Sequence, residues 1–274
     1  MQDLFEPTDW VGIYEPKRVT SKFPNLTIGF TTRNGGVSTE PFHSLNVGLH
    51  VQDHQECIIQ NRTYIAEQIG FPLSAWVTIE QVHGSHIQKL CIKDLYQENQ
   101  TSHVPLYSAC DGIYTNHRGV LLVTFYADCV PLYFYAPKHH LIGLAHSGGK
   151  GTAAHIGRKM LDTWMQEEGV LPKEVYVIIG PAIGSCCYTV DSKVQSAIAN
   201  TLPPKWVEKI YRPIFDGKYA IDLKLTCYYQ ILECNIPENQ IYQTNHCTSC
   251  LNEVYFSYRR DQGKTGRMMS FIGL

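Results

Sequence analysis

The stretch Leu132-Tyr133-Phe134-Tyr135-Ala136-Pro137-Lys138-His139-His140-Leu141-Ile142-Gly143-Leu144-Ala145 decides the fold class. Two apolar, strand-forming runs flank a short polar turn that begins with proline, and this pattern predicts an antiparallel hairpin of strands 132–135 and 141–145. Strands at 112–115 and 120–126 precede it, and 175–179 reads as a short buried strand leading to the turn Gly180-Pro181-Ala182-Ile183-Gly184. Further out, 26–32 runs as a strand into the turn Arg33-Asn34-Gly35-Gly36-Val37-Ser38, with more strands near 76–82 and 87–92. Apolar residues at helical spacing predict helices from Asp53 as N-cap to Ile69, from Thr152 to Glu168, and after the caps Asp191 and Asp222. The tail alternates Val254, Phe256 and Tyr258 and ends in the apolar run 268–274. Hairpins at the centre with helices at intervals give an α+β class: mixed, largely antiparallel sheets flanked by helices. No repeat or linker interrupts the chain, and the polar segment 97–102 reads as a loop, so one domain over residues 1–274 is expected.

The bulk numbers narrow the partners. Lys and Arg total 23 against 25 Asp and Glu, a net charge of -2. That balance lacks the clustered basic face of a nucleic-acid binder. Met1-Gln2-Asp3-Leu4-Phe5-Glu6-Pro7 has neither part of a signal peptide, and no apolar run approaches the roughly 18 residues of a membrane span. A cytoplasmic location without a membrane partner is expected, and the ten cysteines then read as reduced thiols that are buried, reactive or metal-bound. Charged residues make up 18%, below the usual ~25%, which fits surface hidden in a homodimer.

Three residues stand where apolar, β-branched runs stop: His83 in Gln81-Val82-His83-Gly84, Cys129 in Ala127-Asp128-Cys129-Val130-Pro131, and His146 in Ala145-His146-Ser147-Gly148. Strand ends gather ligands and catalytic groups in α/β folds. Two imidazoles and a thiolate that share one ion leave a fourth tetrahedral position open, as in catalytic zinc sites. Such a donor set also takes copper. The same residues read, alternatively, as a small buried thiol and two satisfied histidines. Ser147-Gly148-Gly149-Lys150-Gly151 presents backbone amides beside His146, which suits an anion, but its spacing departs from the P-loop pattern.

Other candidates carry two readings each. Arg33 clamps a phosphate, or sits in a tight turn. Asp128 acts as general base, orients a ligating imidazole, or forms a turn. Asn46, in Ser44-Leu45-Asn46-Val47-Gly48, contacts a ligand or belongs to a turn. Cys247-Thr248-Ser249-Cys250 has zinc-knuckle spacing, but no second Cys-x-x-Cys occurs, so it reads as structural or redox-prone thiols, and Cys186-Cys187 as packing. Tyr258-Arg259-Arg260-Asp261 is a charged strand exit or part of a pocket.

Together the motifs resemble the bacterial YfiH/YlmD-type laccase-domain family, also named polyphenol oxidase or purine nucleoside phosphorylase. The matching pieces are Thr31-Thr32-Arg33-Asn34-Gly35-Gly36-Val37-Ser38, Ser44 to Gly48, Gln81-Val82-His83, Asp111-Gly112, Ala127 to Pro131, Ala145-His146, Gly180 to Gly184, and Phe256-Ser257-Tyr258-Arg259-Arg260-Asp261. The resemblance implies an α/β sandwich and His83, Cys129 and His146 as metal ligands. It implies phosphorolysis of adenosine, inosine, guanosine and methylthioadenosine, and deamination of adenosine. One position departs: where the family usually reads Ala-Gly-Trp-Arg/Lys-Gly, the chain has Gly149 in place of the tryptophan and keeps a cation at Lys150. Base stacking on an aromatic ring is worth ~1–3 kcal/mol, so another aromatic such as Phe42 is expected to compensate, or nucleosides to bind more weakly.

The expectation is therefore a zinc-dependent purine nucleoside enzyme, with Cu2+ as the alternative metal. Its partners are purine nucleosides and phosphate. Arg33 positions phosphate with Lys150, Asp128 moves a proton, and Asn46 and Gln81 contact the nucleoside. The rivals are a hydrolase with Cys129 as nucleophile, a copper phenol oxidase, and a zinc protein without catalytic activity.

Overall fold

A computed structural model describes residues 3–96 and 104–274; the loop expected at 97–102 lies outside the described residues. The hairpin forms and is longer than its apolar runs: Val130–Ala136 pairs antiparallel with Leu141–Ser147, with Tyr133 opposite Leu144. Leu132, Phe134 and Ala136 join one core cluster, while Tyr133 and Tyr135 join another. Successive side chains on a strand point to opposite faces, so an unbroken apolar run requires that both faces be covered.

The hairpin is the centre of the second of two six-stranded sheets, and the first sheet and a layer of helices supply that cover. In the first, Phe5–Pro7, Ile13–Pro16, Thr27–Thr31, Met268–Gly273, Leu121–Tyr126 and Trp76–Thr78 lie side by side. All its pairs are antiparallel except the last. In the second the order is Ile241–Gln243, Tyr176–Ile179, Val130–Ala136, Leu141–Ser147, Gly112–Thr115 and Ile87–Lys89. Its centre is antiparallel and its two edge pairs are parallel. A small antiparallel sheet joins Thr189–Val190, Tyr219–Ile221 and Tyr211–Pro213.

Between the two large sheets lie Phe30, Leu122, Tyr126 and Ile272 from one side and Tyr133, Ile142, Leu144 and Ile178 from the other. The helix Gln55–Ile69 covers the outer face of the first sheet, where Ile65 and Ile69 share a cluster with Leu121, Val123 and Phe271. Ile156–Glu167 and Leu223–Leu232 cover the second through Met160, Trp164, Cys227 and Ile231. Each fully buried side chain of this size contributes ~1.5–3 kcal/mol. The α+β class with largely antiparallel sheets and flanking helices is the observed architecture.

Local differences have physical causes. Asp191 and Asp222 cap their helices by accepting from the Val194 and Leu225 amides. Asp53 does not: its carboxylate is taken by Asn46 Nδ2 and the His54 amide, and the helix starts at Gln55. The helix expected over 152–168 is two, Gly149–Ala153 and Ile156–Glu167. His155 at φ 58° breaks the ladder between them. After Thr78 the chain leaves the sheet, so the expected strand at 76–82 is short and its remainder is free to reach the site.

Candidate metal centre and its cavity

Residues 127–129 are the crossover between the two large sheets, linking Leu121–Tyr126 to Val130–Ala136. So tight a passage puts Asp128 at φ 88°, a conformation rare for a side chain with a Cβ. Its carboxylate holds it there, accepting from Thr248 Oγ1 (2.6 Å), Ser257 Oγ (3.0 Å) and the Arg259 amide (2.7 Å). The next residue, Cys129, faces His146 near the end of Leu141–Ser147. His83 arrives on the loop after Trp76–Thr78, itself at φ 60°. One ligand atom from each of His83, Cys129 and His146 lies within 4.8 Å of the other two.

Asp111 is the residue whose role at this site the sequence concealed. It is fully buried and accepts from the amides of Val82 (3.2 Å), His83 (3.0 Å) and Gly84 (2.6 Å) and from His146 Nδ1 (2.8 Å). A carboxylate on Nδ1 fixes the imidazole tautomer and turns Nε2 toward a metal. The imidazole-orienting role considered for Asp128 therefore belongs to Asp111. Burial alone would raise the Asp111 pKa, but its hydrogen bonds from His146 and the Gly84 amide outweigh this and lower it. At Cys129 burial likewise opposes the thiolate, yet His146 and His83 lower its pKa on balance. The His146 pKa is raised, because the Cys129 sulfur and Asp111 outweigh its burial.

The donor set fits one soft cation. Gly148 shows that the fit is tight: a Cβ there would stand 2.9 Å from Cys129 Sγ and 3.2 Å from His83 Cδ2.

The trio opens into a cavity of about 790 Å3, within the usual range for small-molecule sites. Phe125, Tyr188 and Tyr258 give it aromatic walls, and Arg62, Arg259 and Arg267 give it cations. The Arg259 guanidinium lies 5.0 Å from the Tyr188 ring centre, and that of Arg267 5.7 Å from Tyr258. His50 also lines the cavity; burial, Arg267 and Arg62 lower its pKa and keep it neutral.

The other expected site residues separate. Gln81 lines the cavity, and its amide clasps the Phe125 backbone through Nε2 to O and N to Oε1. Asp128 lines it as well. Arg33 does not: its fork donates to the carbonyls of His43 and Asn252 and lies 4.9 Å over the Phe256 ring. Asn46 is buried beside the site, where its Oδ1 accepts from the Gly48 and Arg267 amides. Lys150 is exposed and is not among the lining residues. Phe42 is not in the lining either. Tyr188 stands where the absent tryptophan would begin, its hydroxyl 2.7 Å from an ideal Cβ on Gly149.

Tyr258 and Arg259 resolve the charged tail motif as cavity wall. The contributions of His50, Arg62, Tyr188 and Arg267 had no sequence signal, because each is an ordinary residue brought in by long-range packing.

Comparison with known proteins identifies the family. The chain is 44% identical to the purine nucleoside phosphorylase YlmD of Geobacillus stearothermophilus over 277 aligned positions, covering 100% of this chain and 98% of that one. It is 43% identical to the YlmD of Bacillus subtilis, over 90% of this chain and 87% of the relative. The crystal structure of the Geobacillus protein superposes with a TM-score of 0.92 at 43% identity, and covers 99% of both chains. That of Bacillus licheniformis YfiH does so with 0.90 at 42%, covering 98% of both. Residues 27–274 match the family described as multi-copper polyphenol oxidoreductase laccase, and the chain belongs to that family.

Proposed function

We propose that the chain is a zinc-dependent purine nucleoside enzyme that phosphorolyses adenosine, inosine, guanosine and methylthioadenosine and deaminates adenosine. The observation that carries this is the meeting of the His83–Cys129–His146 trio with a cavity whose walls combine aromatic rings and arginines. The relatives named as purine nucleoside phosphorylases support it.

Bound at the trio, zinc would supply Lewis acidity toward an oxygen of water or substrate. The chain's own groups do the rest. Purine stacks on Tyr258, Phe125 or Tyr188. Arg259 and Arg267 each spend Nη1 on backbone carbonyls, of Thr189 and of Thr265 and Gly266, and their remaining N–H groups face the cavity as donors for phosphate oxygens. Neutral His50 hydrogen-bonds without adding charge, and the second N–H of Gln81 Nε2 reaches the nucleoside. Asp128 accepts from Thr248 Oγ1, Ser257 Oγ and the Arg259 amide, so it holds that wall of the cavity in place, and it is the group that would shuttle a proton. Arg33, Asn46 and Lys150 take no direct part in this scheme, since none of them lines the cavity.

Purified protein given inosine and phosphate should release hypoxanthine and ribose 1-phosphate; hypoxanthine release that ignores phosphate rejects phosphorolysis. A hydrogen bond to a charged group is worth ~1.5–3 kcal/mol, so Arg259→Ala should raise KM for phosphate by about 10-fold or more. Initial rates at varied phosphate check this, and an unchanged KM removes Arg259 from the phosphate site.

The pKa directions give a pH dependence. Without metal, the raised His146 pKa keeps its imidazole protonated through neutral pH, and zinc must displace that proton. Zinc affinity should therefore rise with pH, by about tenfold per unit for one displaced proton, and level off above the His146 pKa. Chelator competition between pH 6 and 8 measures the slope; a flat profile contradicts it.

The lowered Cys129 pKa beside His146 also suits a thiolate nucleophile, the second reading. That one predicts activity that survives chelators and is lost to iodoacetamide. A copper phenol oxidase has less support, because among the described residues only one metal-ligating cluster contains histidine.

A further inference from the structure

A second cluster lies behind the cavity wall. Cys186, Cys187, Cys247 and Cys250 place their four sulfurs within 4.8 Å of one another. Two of these residues belong to the turn that follows Tyr176–Ile179 and two to the loop after Ile241–Gln243. The chain brings them together by backbone pairing: Ala182 bridges Cys247, and the Thr248 amide donates to the Ala182 carbonyl at 3.1 Å. The missing partner of the knuckle-spaced Cys247-x-x-Cys250 is therefore the adjacent pair Cys186-Cys187, not a second Cys-x-x-Cys. Cys186 is exposed rather than packed in a core.

The spacing suits a metal better than a disulfide. Cys250 Sγ is 3.4 Å from Cys186 Sγ and 3.5 Å from Cys187 Sγ, and all four thiols are free. A disulfide needs about 2.05 Å. Four sulfurs each about 2.3 Å from one tetrahedral centre sit roughly 3.8 Å apart.

Polar groups of the chain surround the sulfurs. The Gly184 amide donates to Cys247 Sγ at 3.2 Å. The ammonium of Lys224, only 3% exposed, is held by the His246 carbonyl and feels the charge of Cys247 and Cys186. Arg260 Nη1 ties down the Thr248 and Ser249 carbonyls between the two knuckle cysteines. A buried cation beside a cluster of thiols offsets part of the net negative charge that four thiolates and one divalent ion would carry.

We propose that Cys186, Cys187, Cys247 and Cys250 form a closed, structural tetrathiolate site for one zinc ion, separate from the His83–Cys129–His146 centre. Four protein sulfurs leave no open position for a substrate. The ion would staple the turn bearing Ile183 and Tyr188 to the loop bearing Thr248, whose hydroxyl holds Asp128. It would thus stiffen one cavity wall without touching the reacting centre.

The test uses the full chain with the first centre deleted (His83→Ala, Cys129→Ala and His146→Ala), purified under reducing conditions without chelators. Elemental analysis should find about one zinc per chain. Adding Cys247→Ser and Cys250→Ser should abolish it. Cobalt titrated into the same protein should give the intense thiolate charge-transfer and tetrahedral d–d bands of a four-sulfur site. Less than about a tenth of a zinc per chain with no thiolate–cobalt bands overturns the proposal. So does iron at the same ratio, or zinc that persists after the cysteine substitutions. If the multiple variants do not fold, the unsubstituted chain decides. Two zinc ions per chain, one lost on Cys186→Ser, support the site; zinc content unchanged by Cys186→Ser, or a Cys186–Cys250 or Cys187–Cys250 disulfide under reducing conditions, rejects it.

Discussion

Asp111→Ala should unfold at a markedly lower temperature and lose metal, although Asp111 is not a ligand. Its fully buried carboxylate accepts four hydrogen bonds, from the Val82, His83 and Gly84 amides and from His146 Nδ1. Alanine leaves all four donors without an acceptor, and each buried orphan costs ~1–3 kcal/mol. Gly84 and the two residues before it are partly open to solvent, so water recovers some of this loss. A net loss of about 3–5 kcal/mol is expected, in line with breaking a buried charge pair. At ~2–4 °C per kcal/mol for a chain of this size, the melting temperature should fall by roughly 6–20 °C. Metal affinity should fall ~10–100-fold as His146 loses its orientation.

Asp111→Asn separates the two effects. It preserves shape and one acceptor oxygen but turns an NH2 toward one of the two donor pairs, so only part of the stability should return while the metal affinity stays low. Thermal melts with and without chelator, with zinc competition on the same samples, measure both. A melting temperature for Asp111→Ala within 2 °C of the parent protein would show that water replaces the carboxylate, and would remove Asp111 from the account.

Gly148→Ala should act the opposite way, sparing the fold and disabling the site. Gly148 has φ -76° and ψ -179°, which any L-residue can adopt, so no backbone strain is involved. The cost is space: the added methyl would lie 2.9 Å from Cys129 Sγ and 3.2 Å from His83 Cδ2. Cys129 is held by the sheet crossover, so the sulfur has little room to retreat. Displacements approaching 1 Å at a reacting centre cost ~10²-fold. Nucleoside turnover should therefore fall by about two orders of magnitude or more, with zinc affinity reduced alongside and the metal-free melting temperature nearly unchanged. His83→Ala, which deletes a ligand outright, should abolish phosphorolysis. Full activity in Gly148→Ala would mean that the cysteine is not needed where the structure places it.

Legibility in the sequence followed the range of the interaction. The hairpin at 132–145 was readable because its two apolar runs and its proline turn are local, while its extension to 130–147 came from strand pairing in the folded sheet. The aspartate caps at 191 and 222 were readable for the same reason. The cap at Asp53 failed because a distant side chain, Asn46, competes for that carboxylate. The metal trio was legible as three strand ends of suitable chemistry. Its support was not: Asp111 stood out only as part of a matching motif, and its role appears once three amides and an imidazole are folded around it. Arg33 looked suited to phosphate by its fork beside a glycine turn and Lys150 by its charge, whereas the arginines lining the cavity are Arg62, Arg259 and Arg267.

By itself the amino-acid order determined the periodicity of strands and helices, the caps and turns, and the donor types available to a soft metal. Only the tertiary structure decided which donors meet. The crossover at 127–129 delivers Cys129 to His146, and the Ala182–Cys247 bridge gathers four thiols from two distant segments. The physical reason is that periodicity and capping depend on neighbours a few bonds away. Convergence depends instead on how two covered sheets pack, and no short window of sequence contains that.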